Sequence, residues 1–281
     1  MTPRFSLLRT LCGPVAALIA TAGLLCSATA QADTLSDIKA RGTLMVGVEA
    51  GGAGAILSSQ PGGKIVGHDA DLNALIAQKL GVKLEMVETP WPGIIPALLS
   101  ERFDMIMSGM TATKARAERV NFSTPYGDAS LVAATLAGNT ALKTPDDLAG
   151  KTIAVLLGSN TVNFAKDFAA KMAAKNLAAP TVKTYDDFPS IFVELGNKNI
   201  DVVMLPRPIM GGYMVQKPGA FKIIEGLGDK SYFGVAIRKD DTALLAAVNK
   251  ILMEAKADGT LAALQKKWLG AATGPLPDSW N

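Results

Sequence analysis

The chain has 281 residues, 49% of them hydrophobic, with 28 Lys and Arg against 25 Asp and Glu, one histidine and two cysteines. So small a positive balance gives no electrostatic footprint for nucleic acid, and the length suits one large domain or two lobes of about 100 to 130 residues. Both cysteines, Cys12 and Cys26, fall within the first 32 residues, which excludes disulfides, thiolate catalysis and cysteine metal sites from the rest.

Those 32 residues read as an export signal. Arg4 and Arg9 form a basic start, residues 11–25 an apolar stretch, and Ala30-Gln31-Ala32 an A-x-A cleavage pattern, so cleavage is expected before Asp33. An apolar run of about 15 residues is short of the roughly 20 that a membrane-spanning helix needs. Leu25, not a small residue, precedes Cys26, which argues against a lipidated terminus. Without this leader the charge balance is nearly neutral, and no later apolar run is long enough to span a bilayer. The expected product is soluble and periplasmic.

From Asp33 onward, short apolar strands alternate with amphipathic helices, the pattern of α/β layers with parallel sheets. Residues 43–48 are the first predicted strand. Asp69 or Asp71 is the expected cap of a helix carrying Leu72, Leu75, Ile76 and Leu80 at helical spacing, closed by Gly81. A strand over 82–87, a helix over 92–100 made irregular by Pro96, and a buried strand over 105–107 follow. A second unit repeats the scheme, with strand 153–157, a turn at 158–161 into a helix reaching about residue 176, strand 181–185, helix 189–196 and strand 200–205. The chain closes with strand 234–238, helices over 242–257 and 260–268, and an irregular Pro/Gly-containing tail. Two such units suggest two lobes.

Five segments carry a more specific signal, in order: IKARGTLMVGV at 38–48, GHDADLNALIAQKLGV at 67–82, IIPALLSERFDMIMSGMTATKARAERVNFSTPY at 94–126, DLAGKTIAVLLGSN at 147–160 and ADGTLAALQKKWLG at 257–270. Together they resemble the family-3 periplasmic solute-binding proteins, the amino-acid binders of ABC importers. The resemblance implies the two-lobed, type II periplasmic binding protein fold, in which each lobe is a mostly parallel sheet flanked by helices and two crossover strands form the hinge. The crossovers are expected near 127–132 and 226–233, with lobe one at 33–127 and 229–281 and lobe two at 128–228. The implied partners are a small carboxylate ligand and a membrane permease. No cofactor or metal is implied, and the family's expected state is a monomer.

The segment 108–116 is the most informative chemistry. It leaves a strand and enters a helix, so unpaired backbone N–H groups, hydroxyls and a guanidinium can converge on an anion. Arg116 can grip a carboxylate through two parallel hydrogen bonds. The resemblance places the ligand's α-carboxylate on Arg116, Thr111 and Ser108, with Gly109 contributing backbone alone. The plainer reading makes Thr113 an N-cap and Arg116 a solvated helix residue. From lobe two, the turn at 158–161 presents a helix N-terminus, and the resemblance points to Ser159 and Asn160, against ordinary capping. Trp91 matches the family's apolar residue beside the ligand side chain, or else is core. Glu49, ending the first strand, either accepts from a ligand amine or is a solvated carboxylate. His68 is expected to flank a helix start.

Two departures from the family bear on the ligand. Pro206, with Arg207 next to it, stands where an acidic residue usually binds the α-ammonium, and residues 50–55 are small where aromatics usually cover the ligand. Either Glu49 holds the amine, or the ligand lacks one and Arg207 reads a second anionic group. Some exported cyclohexadienyl dehydratases resemble this family, and such chemistry needs a general acid in the cleft. Glu49 and Glu194 are the candidates, but no nucleophile, base and orienting residue form a set, so a binding protein is the expected function.

Overall fold

The computed structural model describes residues 33–50, 56–59 and 62–280. The expected export signal and the small-residue loop over 51–55 lie outside the described residues. Lobe one opens with α1 (Thr34–Arg41), β1 (Thr43–Val48), the short pair β2 (Ser58–Ser59) and β3 (Ile65–Val66), α2 (His68–Leu80) and β4 (Lys83–Glu88). A 3-10 turn at Trp91–Gly93 leads into α3 (Ile94–Leu99), then β5 (Met105–Ile106), the single turn α4 (Lys114–Ala117) and β6 (Val120–Phe122). After β7 (Gly127–Asp128), the second α/β unit runs through β8 (Leu131–Leu136), β9 (Thr152–Leu156), α5 (Asn160–Ala174), β10 (Thr181–Tyr185), α6 (Phe188–Gly196), β11 (Val202–Pro206), α7 (Arg207–Gln216) and β12 (Phe221–Ile224). The chain returns through β13 (Tyr232–Phe233) to β14 (Ala236–Arg238), α8 (Thr242–Ala257) and α9 (Thr260–Leu269).

Two five-stranded sheets result. One has the order β4-β1-β5-β14-β6, the other β10-β9-β11-β8-β12. Each is parallel at one side (β1 with β4 and β5; β9 with β10 and β11) and antiparallel where the return strand enters, at β14 and at β8. The two segments linking the sheets pair with each other antiparallel, Phe233 opposite Gly127 and Tyr232 opposite Asp128. Helices cover both faces of each sheet, so β9 and β11 are apolar and buried nearly throughout. Among the described residues no helix is long and apolar enough to cross a membrane.

Three local departures from the sequence reading have physical causes. Helix α2 begins at His68, with Gly67 as its N-cap and not Asp69 or Asp71. Gly67 takes φ 136°, and a Cβ there would meet the Ile56 carbonyl oxygen at 2.4 Å, so this close backbone approach selects glycine. The two aspartates are thereby free for long-range partners. Pro96 does not disturb α3, because it falls in the first turn, where its missing N–H has no intrahelical acceptor. Residues 207–216 form a helix that the sequence reading left unassigned; Pro208 sits in its first turn, and Gly212 is buried on its packed face.

Candidate functional site

The site is assembled where strands of both sheets end. On lobe one, Ser108 joins the ends of two neighbouring strands, its hydroxyl accepting from the Glu49 N–H at 2.9 Å and donating to the Glu49 carbonyl at 3.3 Å. Gly109 follows with φ +63°, and a Cβ there would lie 3.1 Å from the Ile56 side chain. Thr113 caps α4 by accepting from the Arg116 N–H at 3.3 Å. That short turn folds the Arg116 side chain back over the loop. Its Nη1 donates to the Thr111 carbonyl at 2.9 Å, and its Nη2 reaches the Gly158 carbonyl on the other lobe at 3.5 Å. The guanidinium carbon also lies 5.5 Å from the centre of the Trp91 ring, within cation–π range.

No carboxylate compensates this charge: among the described residues Arg116 takes part in none of the seven ion pairs. Burial pulls its pKa down to about 10. An anion brought against it would reverse that effect by favouring the charged form.

On lobe two, β9 ends at Leu156 and the chain turns through Gly158, at φ +73°, into α5. Ser159 is the N-cap, yet its side chain makes no capping hydrogen bond. The hydroxyl donates instead to the Leu156 carbonyl at 2.6 Å and shares a short hydrogen bond with the buried Thr161 hydroxyl. The first turn of a 15-residue helix is therefore uncapped by its own serine, and its positive end faces the cleft.

Between the lobes lies a pocket. Glu49, Trp91, Ser108, Gly109 and Thr111 line it from lobe one, and Ser159 and Asn160 from lobe two. Arg116 borders the adjoining groove, shared with Trp91 and Gly158. The remaining wall belongs to residues that the sequence reading did not assign to the site: Leu156, Thr161, Phe188 and Ile209, together with Pro206. Apolar side chains at strand ends and helix starts carry no mark that separates them from core. Phe188 owes its position to Asp187, which caps α6 by accepting from the Ser190 N–H at 2.7 Å. Burial, then the charges of Glu49 and Asp187, push the Tyr213 phenol upward in pKa.

Arg207 has a partner of its own. It does not border this pocket; its guanidinium is half-exposed and pairs with Glu225 through both terminal nitrogens, Nη1 donating at 2.8 Å. It stands first in α7, and Glu225 follows β12. His68 is buried at the start of α2 and paired with Asp69, away from the pocket lining.

The family profile of the bacterial extracellular solute-binding proteins, family 3, matches residues 44–271. The chain belongs to this family. This family-3 solute-binding protein is 34% identical over 260 residues to the L-cystine-binding protein TcyJ of Escherichia coli K12, covering 92% of this chain and 94% of the relative. It is 30% identical over 209 residues to the ABC transporter arginine-binding protein 1 of the same strain, covering 73% and 82%. Among solved structures, it superposes on the ancestral amino acid-binding protein AncCDT-1, described as a precursor of cyclohexadienyl dehydratase, with a TM-score of 0.76, 34% identity and coverage of 84% and 100%. An ancestral arginine-binding protein bound to arginine gives a TM-score of 0.73 at 38% identity, covering 82% and 99%. The architecture is accordingly the type II two-lobed fold, and solute binding for an ABC importer is the function that agrees with this membership.

Proposed function

We propose that the chain is the exported, periplasmic solute-binding subunit of an ABC importer, and that it closes its lobes around an amino acid or a related small carboxylate. In this reading lobe one comprises residues 33–127 and 229–281, lobe two residues 128–228, and β7 and β13 are the hinge. The protein works as a monomer that presents its closed form to a membrane permease. The observation that carries the reading is Arg116: a cation without an acidic partner among the described residues, set between carbonyls of both lobes and over the Trp91 ring. A carboxylate placed there would also meet the uncapped start of α5, and contacts from both lobes to one anion favour closure over the open state.

The pocket further favours a ligand with an uncharged side chain. Leu156, Phe188, Pro206 and Ile209 offer no acceptor from their side chains, and Glu49 is the one carboxylate among the lining residues. Glu49 is then the group for a ligand ammonium, taking over from the acid that Pro206 replaces. A second carboxylate or a guanidinium on the ligand would find no matching charge in this wall, which places an amino acid with an uncharged side chain ahead of arginine.

A thermal-shift series tests this directly. L-cystine, neutral amino acids, arginine, dicarboxylates and keto acids are titrated against the purified protein, since a ligand of the native state raises its melting temperature by mass action. A neutral amino acid should produce the largest shift, and Arg116→Ala should weaken its binding by on the order of 100-fold, because a buried charge-assisted pair is lost. Equal binding by Arg116→Ala would remove the site assignment. The description of AncCDT-1 as an enzyme precursor motivates a parallel incubation with prephenate or arogenate, in which product formation would replace the pure binding reading.

A further inference from the structure

Behind the anion-facing loop lies a buried polar cluster that meets the pocket lining at Gly109. The Asp69 carboxylate, fully inaccessible to solvent, meets three polar groups at once. Its Oδ2 accepts from the Gly109 N–H at 2.6 Å and from the Tyr126 phenol at 2.8 Å, while Oδ1 lies 2.8 Å from His68 Nδ1. The Gly109 N–H is shared, since the Tyr126 oxygen is 3.2 Å away. Burial, reinforced by the charge of Asp69, holds the Tyr126 phenol in its protonated, donating form.

Tyr126 stands immediately before β7. Its backbone N–H donates to the Phe233 carbonyl at 3.0 Å, and its ring packs between His68, at 6.1 Å, and Phe233, at 6.0 Å. The loop itself is bonded to the same return strand. Thr111 bridges to Phe233, the Ala112 N–H donates to the Tyr232 carbonyl at 2.9 Å, and the Gly234 N–H donates to the Met110 carbonyl at 3.1 Å. The loop thus forms one edge of the ribbon whose other edge is β7.

We infer that Asp69 and Tyr126 are positioning residues that clamp the Gly109 N–H and tie the loop 108–112 to both inter-lobe segments, so that loop geometry and hinge geometry change together. The clamp has a reason to exist: Gly109 is in the left-handed region, and a loop held there by one side chain alone could relax by rotating its N–H away. The role of the loop in gripping ligand rests on the function proposed above, whereas its coupling to the hinge rests only on these contacts.

Amide hydrogen exchange on the purified protein without ligand tests the coupling. Tyr126→Phe removes one hydroxyl and keeps the ring packing. It should accelerate exchange at Gly109, Ala112 and Gly234 by about tenfold, the loss expected for one buried hydrogen bond, while Val46 in β1 and Val155 in β9 keep their wild-type rates. Asp69→Asn is the second variant and should perturb the same three amides more strongly; if it does not fold, Tyr126→Phe decides. Unchanged exchange at Gly109, or equal acceleration at all five amides, overturns the inference, the latter showing a general loss of stability. Failure of the ligand reading is visible separately, as a wild-type protein that no amino acid stabilises.

Discussion

Arg207 and Arg116 show how one residue type takes two fates in one molecule. Arg207 pairs with Glu225, and this hydrogen bonding raises the pKa of the guanidinium and lowers that of the carboxyl. Both side chains are more than a third exposed, at 42% and 59%, so solvent screens the pair and its net contribution is small. Arg207→Ala should therefore leave ligand affinity unchanged within about twofold and shift unfolding free energy by less than about 0.5 kcal/mol. Calorimetric titration and urea denaturation measure both; a large loss of affinity would return Arg207 to the site. At this scale the assignment of 108–116 rested on the family resemblance, because the residues alone also fit an N-cap followed by a solvated arginine. Phe188, Ile209 and Thr161 were not readable, because nothing in an apolar residue or a helix-start threonine distinguishes a pocket wall from ordinary packing. The internal use of the Ser108 and Ser159 hydroxyls was equally hidden, since their partners are backbone atoms of Glu49 and Leu156.

The same division holds for whole elements. Strands β1 and β9 and helices α8 and α9 announce themselves by periodicity, whereas α7 contains Pro208, Gly211 and Gly212 and reads as loop. It forms because Pro208 falls in the first turn and the buried face packs against β8 and β11. Helix α2 was found, but the roles of its aspartates depend on partners far along the chain. Asp71 accepts from Lys267 at 2.6 Å and from the Trp268 indole at 2.7 Å, clasping α2 to α9. Burial opposes ionisation of Asp71, yet these two donors outweigh it and hold the carboxyl below its usual range. A depressed folded-state value means that the stabilisation is present above the unfolded value of about 3.9 and disappears as pH falls through the folded one. Asp71→Asn, which keeps the shape, should lower stability by about 0.5 to 1 kcal/mol at pH 7, a figure reduced for partial exposure. Urea midpoints of the two proteins should converge as pH falls through the folded-state value. A gap that persists unchanged into acid would show that the carboxylate charge contributes nothing to the clasp.

The whole molecule works through relations that no single segment displays. Five motifs in order identify the family and with it two lobes, but the contact that forms when the lobes meet joins residues far apart in sequence. Gly158, at φ +73°, sits so close to Pro92 that an added Cβ would fall 3.0 Å from the Pro92 Cα, and its carbonyl faces Arg116. A side chain here has two separable effects. Left-handed backbone disfavours most residues whether the lobes are open or shut, whereas the collision with Pro92 exists only when they are shut. Asn tolerates the left-handed region better than Ala, so Gly158→Asn isolates the second effect. The variant should unfold within about 1 kcal/mol of wild type and yet bind ligand at least about tenfold more weakly, because closure now costs an extra 1.4 kcal/mol or more. X-ray scattering should show a smaller ligand-induced compaction than in wild type at the same occupancy. Equal affinity and equal compaction would mean that the Gly158–Pro92 approach does not limit closure, and that the lobes meet elsewhere.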